Sequence, residues 1–229
     1  MTDTPVTLTR RALKTPRAAA IAGIIFAVLY GATLVLLYLS VTPVLKADTT
    51  WLETNAGMVS LALNLMPFAG IAFLWFIGVI RDHLGDMEDR LFATVFLGSG
   101  LLFLALTFFG AALVGGLLDS YVIDPDVFGQ SGLYTYSRAV TYQAINIYAI
   151  RMAGVFMISL ATLWIRTGLM HRGWAFLTYA LALVLLLSIH LSLLVILIFP
   201  GWVLVVSVSI LIRNLHDQPP EGDAEAMKT

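Results

Sequence analysis

The 28 residues from Leu91 to Leu118 contain no ionisable side chain, and they follow directly on the densest charge cluster in the chain. Arg81, Asp82, His83, Asp86, Glu88, Asp89 and Arg90 fall within ten residues, and the next charge is Asp119. As a helix rising about 1.5 Å per residue, such a run exceeds the ~30 Å hydrocarbon layer of a bilayer. The chain therefore leaves water at Arg90 and crosses a membrane. Composition points the same way: 59% apolar residues, 12% charged residues and a mean hydropathy of +0.91 do not fit a soluble domain. The absence of Cys excludes disulfides, thiolate nucleophiles and Cys-ligated metals. A net charge of −1 gives nucleic acid no basic footprint.

The remaining spans follow from the same reasoning. Residues 1–17 are polar and carry Arg10, Arg11, Lys14 and Arg17, whereas Ala18 to Leu45 is uncharged. Thr9-Arg10-Arg11 bears a faint likeness to a twin-arginine signal. The apolar run outlasts the roughly 7–15 residues of a signal core, so it is read as a retained first span. Lys46 to Gly57 is a short polar connection, and Met58 to Ile80 is the second span. After the third span comes Asp119 to Arg138, a loop with Asp124-Pro125-Asp126. Tyr121, Tyr134, Tyr136, Tyr142 and Tyr148 cluster in and after it, as expected of a membrane–water interface or an amphipathic lead-in to the fourth span. The fourth span runs from about Ala139 to Ile165. Gly173 to Ile212 then lacks Asp, Glu, Lys and Arg over 40 residues, about 60 Å as helix, which is twice a bilayer. It is read as two helices with a turn at Ser188 to Ser192.

The expected fold is an all-α membrane protein, a six-transmembrane-helix bundle with N and C termini cytoplasmic. Its spans are about 18–40, 58–80, 91–118, 139–165, 173–190 and 193–213, with a disordered tail over 214–229. Basic residues bias loops toward the cytoplasm. With six spans, Arg10, Arg11, Lys14, Arg17, Arg81, Arg90, Arg166, Arg172, Arg213 and Lys228 are inside, and only Lys46 and Arg138 are outside.

Candidate site residues are those whose polarity is hardest to justify in lipid. Arg151 is the one charge inside an apolar span, and intramembrane charges mark pathways or partners unless they snorkel to the interface. Ser137, Val140, Ala144, Tyr148 and Arg151 make one stripe at helical spacing, and Asp119 is the acid expected to pair with Arg151. In the second span Pro67 removes a donor for the Leu63 carbonyl and introduces a kink, with Asn64 beside it as a substrate contact or a bond to the freed backbone. Thr107, Ala111 and Gly115 form a small-residue stripe that suits close helix packing. Arg81, Asp82, Asp86, Glu88, Asp89 and Arg90 are read either as caps of two helix ends or as a docking surface.

No catalytic residue is assigned. Gly98-Ser99-Gly100 and His190 are the only serine–histidine candidates for intramembrane proteolysis, and their expected depths disagree. The chain has no HExxH, GxGxxG or GxxxxGK sequence, and Asp-x-Asp alone is too sparse for a metal, so no cofactor or metal is expected.

Arg81-Asp82-His83-Leu84-Gly85, followed by Glu88-Asp89-Arg90-Leu91-Phe92-Ala93-Thr94-Val95-Phe96-Leu97-Gly98-Ser99-Gly100, resembles a group of bacterial, largely actinobacterial, integral membrane proteins of unknown function. Phe199-Pro200-Gly201-Trp202-Val203 with Ser207 is similar to the same group. The resemblance covers about a third of the chain and implies a multi-pass protein of the bacterial plasma membrane; it carries over no functional residue. Three functions remain open at this point: first a small transporter, channel or accessory membrane subunit, then an interaction protein docking through residues 81–90, and last an intramembrane enzyme. Its partners are the lipid bilayer and either further copies of the chain or another membrane protein.

Overall fold

The computed structural model describes residues 15–40, 50–84, 90–125, 128, 132–168, 171–188 and 193–216. All regular structure among them is helical. The helices are α1 (Thr15–Ser40), α2 (Thr50–Thr54), α3 (Ala56–Leu84), α4 (Arg90–Ile123) and α5 (Leu133–Tyr142). A π segment (Gln143–Ala149) then leads into α6 (Ile150–Thr167), followed by α7 (Arg172–Leu187) and α8 (Leu193–His216). Five stretches among the described residues are long and apolar enough to cross a membrane: Arg17–Ser40, Ala56–Arg81, Ala93–Ile123, Leu133–Thr167 and Leu193–Ile212. α7 is apolar but has 16 residues, about 24 Å, which is short of the full hydrocarbon thickness. The expected segment 1–17 and tail 214–229 fall largely outside the described residues. The expected polar connection 46–57 contains α2 and the first turn of α3. The fourth span is longer than its apolar core, because α5 extends it back to Leu133.

Packing partners give the order around the bundle: α1 lies against α3, α3 against α4, α4 against the α5–π–α6 rod, α6 against α7, α7 against α8, and α8 against α1. Adjacent helices are antiparallel. Gly23 faces Phe76, the Phe26 ring lies 4.6 Å from that of Phe73, and the Thr33 hydroxyl is 3.4 Å from the Ala62 carbonyl, so rising numbers on α1 meet falling numbers on α3. One end of the bundle is consequently the basic end, where α1, α3, α4, α6 and α7 begin or finish near Arg17, Arg81, Arg90, Arg166 and Arg172. At that end His171 caps α7, its Nδ1 accepting the Gly173 N–H at 3.1 Å.

The bundle axis is filled by rings. Phe26, Phe73, Phe103, Phe156 and Phe199, from five helices, stand with centroids 4.6–6.5 Å apart in the pairs Phe26–Phe73, Phe26–Phe103, Phe26–Phe199, Phe73–Phe103, Phe73–Phe156, Phe73–Phe199, Phe103–Phe199 and Phe156–Phe199. Tyr30 extends this column toward one end through Phe26 and Phe103. Trp202 and Trp164 extend it toward the basic end. All of these side chains are buried. Edge-to-face and offset contacts of this kind add to simple area burial, and in lipid such packing is what holds helices together.

Measured from the five-ring level, the helices do not end together. Toward the basic end α1, α3, α4 and α6 continue for 11 to 13 residues, about 17–20 Å. Toward the other end α1, α3 and α4 continue for 14, 17 and 20 residues, whereas α8 has only 6, about 9 Å. α7 is equally short there, since a Cβ on Gly154 would meet Leu186 and the Ala182 carbonyl, and Ser188 already leaves the helical conformation. Among the described residues the α7–α8 pair therefore forms a ledge above which only α5 and the π segment continue on that side. Beyond the ledge a second apolar cluster of Leu52, Val59, Leu117, Phe128 and Tyr134 ties α2, α3, α4 and α5 together, and the Tyr121 hydroxyl donates to Glu53.

Candidate functional site

Arg151 sits on α6 directly after the π segment. Within that segment the chain bonds with a wider turn: the Ile150 N–H donates to the Ile145 carbonyl, five residues back. Ile145 packs where Gly110 of α4 has no side chain; a Cβ at Gly110 would lie 2.4 Å from Ile145 Cγ1. Just beyond the wide turn Arg151 Nη1 donates to the Ile147 carbonyl at 2.8 Å. The guanidinium thus reaches back along the helix, away from the basic end, in the direction an outward-reaching arginine takes.

The π segment also corrects the expected stripe. An inserted residue turns everything beyond it by about 100°, so 3.6-residue spacing does not carry through. Ser137 and Ala144 are buried, Tyr148 is exposed and Arg151 is half-buried; the stripe changes face midway. The expected pair of Asp119 with Arg151 is not formed among the described residues. Gly110 lies against Ile145 in an antiparallel pair, which sets Arg151 level with residue 104 and leaves Asp119 15 residues further along α4, about 22 Å away. Asp119 is exposed instead.

Asn64 faces outward from α3, and among the described residues its amide bonds neither the Leu63 carbonyl nor another helix. α3 continues as helix through Pro67, and α8 through Pro200. The outward face of α3 below Asn64 forms, with α1, an apolar groove of about 690 Å³ walled by Ile21, Ile25, Phe68 and Trp75 over a floor of Ala22 and Ala72. Arg151, with Tyr148 one turn away, and Asn64 therefore lie on different helices, with α4 between them. Of the charge cluster, Asp86, Glu88 and Asp89 lie outside the described residues. Arg81 and Asp82 are in the last turn of α3 and Arg90 opens α4; Arg81 is exposed.

Ser99 is buried with its hydroxyl donating to backbone carbonyls of its own helix, 2.7 Å from Val95 and 3.1 Å from Phe96. That hydroxyl is occupied, and His190 lies outside the described residues. The expected Thr107–Ala111–Gly115 stripe is only partly used. Thr107 is buried with its hydroxyl on the Phe103 carbonyl, Gly115 makes a loose contact with Leu63, and the tight approach is made one residue off the stripe, at Gly110. Among the described residues no group of His, Asp and Glu is placed to hold a metal.

Two polar contacts between helices, one buried and one half-buried, have no counterpart among the candidate residues read from the sequence. The Trp202 indole N–H donates to the Thr178 hydroxyl at 3.0 Å, joining α8 to α7, and the Thr162 and Tyr179 hydroxyls are 2.7 Å apart between α6 and α7. Their only sequence signal is a hydroxyl or indole in an apolar span. No protein-family model, curated protein or solved structure matches this chain.

Proposed function

We propose that this protein is an accessory or assembly subunit of the bacterial plasma membrane, working through its lateral surfaces and not as a conduit. The observation that carries this reading is the column of buried rings from Tyr30 to Trp164, which occupies the axis a substrate would follow. The two candidate polar residues within the spans, Asn64 and Arg151, are exposed and half-buried respectively, and neither belongs to that column. In this reading α7 is the fifth of six spans, the basic end faces the cytoplasm and both termini are inside. The ten-to-two distribution of Lys and Arg supports that orientation. Short α7 suits a span whose far end lies at the ledge, near Ser188. The resemblance of residues 81–100 to bacterial membrane proteins supports the location.

Reconstitution tests the reading. Purified protein alone in liposomes is expected to pass no tracer cation or anion flux above protein-free vesicles. Protein purified in mild detergent from its native membrane is expected to carry a stoichiometric membrane-protein companion. Sustained flux from the protein alone would contradict an accessory role.

A further inference from the structure

We propose that Arg151, with Tyr148, forms a binding site for a phosphate oxyanion on the ledge where α7 ends. Three observations converge there. The guanidinium is half-buried within a membrane-spanning helix, and among the described residues no carboxylate pairs with it. One of its five N–H donors is given to the Ile147 carbonyl and the other four are free of protein partners among those residues. The phenol of Tyr148 is exposed one turn nearer the end away from the basic residues, on the part of the rod that α7 does not reach.

An unneutralised guanidinium at this depth is costly, and an oxyanion offsets that cost more completely than a carbonyl alone. The planar fork matches two oxygens of a phosphate, and a phenol hydroxyl supplies a third donor. The Ile147 bond fixes the side chain before any ligand arrives, which lowers the ordering cost of binding. The shared chemistry is a phosphate whose negative charge is not offset by a cation of its own, as it is in phosphatidylcholine. It can come from the headgroup of a phospholipid in the surrounding leaflet or from a phosphate ester reaching the ledge from water.

Full-length protein in neutral detergent, supplied with phosphatidylglycerol and phosphatidylcholine in equal amounts, is examined by native mass spectrometry for retained lipid. Its melting temperature is measured separately against inorganic phosphate. Selective retention of phosphatidylglycerol identifies the membrane source, and a phosphate-dependent rise in Tm identifies the soluble source. Either effect is expected to weaken about tenfold or more in Arg151→Gln, to fall partly in Arg151→Lys, which keeps the charge but loses the fork, and to fall less in Tyr148→Phe. Wild-type protein showing neither effect would overturn the proposal. So would a monodisperse Arg151→Lys or Arg151→Gln that binds as the wild type does. Should Arg151→Gln aggregate, Arg151→Lys alone decides.

Discussion

At Gly23 a single hydrogen in place of a side chain lets α1 approach α8. A Cβ there would lie 2.0 Å from the Ser207 hydroxyl and 2.8 Å from the Phe76 ring, distances no side chain tolerates. Ser207 and Phe76 are both fully buried, so neither has room to yield. Overpacking of this kind costs about 1–3 kcal/mol or more. Gly23→Val is therefore expected to lower the melting temperature in detergent, or to prevent recovery of folded protein. Gly31→Ala, eight residues along the same helix with open space around it, is expected to leave stability unchanged. Equal stability of the two variants would show that α1 and α8 are not in this contact. Arg151 is the other residue at which position decides character. Its isolation among apolar residues is plain in the sequence. Its partner, the Ile147 carbonyl, is not, because a backbone acceptor leaves no mark in the residue pattern.

At the scale of elements, apolar length was the strongest signal. The all-helical membrane class and the long apolar helices follow from uncharged runs that leave no alternative in a bilayer. Local packing was illegible for a physical reason: helical spacing assumes 3.6 residues per turn, and the π segment departs from it because Ile145 fills the space at Gly110, a contact between residues 35 positions apart. The Tyr-rich stretch expected as an interface or an amphipathic lead-in to the fourth span is α5, a helix built largely from Tyr, Thr, Ser and Arg. α7 is the element on which the topology turns. Its 16 residues pack along α6 through Gly154–Leu186 and Thr162–Tyr179, at the depth of a spanning helix. If α7 crosses, reporter fusions after Lys14, Met87, Met170 and His216 are cytoplasmic, and fusions at Glu53, Gln130 and His190 are external. A cytoplasmic signal at His190 together with an external one at His216 would reduce the spans to five.

At the scale of the whole molecule, the ring column makes the bundle a solid body. Among the described residues the long helices surround a centre in which aromatic side chains from α1, α3, α4, α6 and α8 interlock, and Arg151 and Asn64 lie outside it. Rings in mutual contact exclude water because a gap wide enough for it would forfeit the dispersion contacts that hold the helices together. The chain contains no cysteine, so a single introduced thiol reports its own surroundings without background. Ala69 and Ala153 belong to the same buried cluster as the rings, and Cys in place of Ala adds little volume. In sealed proteoliposomes, Ala69→Cys and Ala153→Cys are expected to resist a membrane-impermeant thiol reagent applied from either side, while Glu53→Cys, exposed on α2 at the end of the bundle opposite the basic residues, reacts from one side. Labelling of Ala153→Cys at a rate near that of Glu53→Cys would mean that water reaches the axis, and would contradict a bundle closed at its centre.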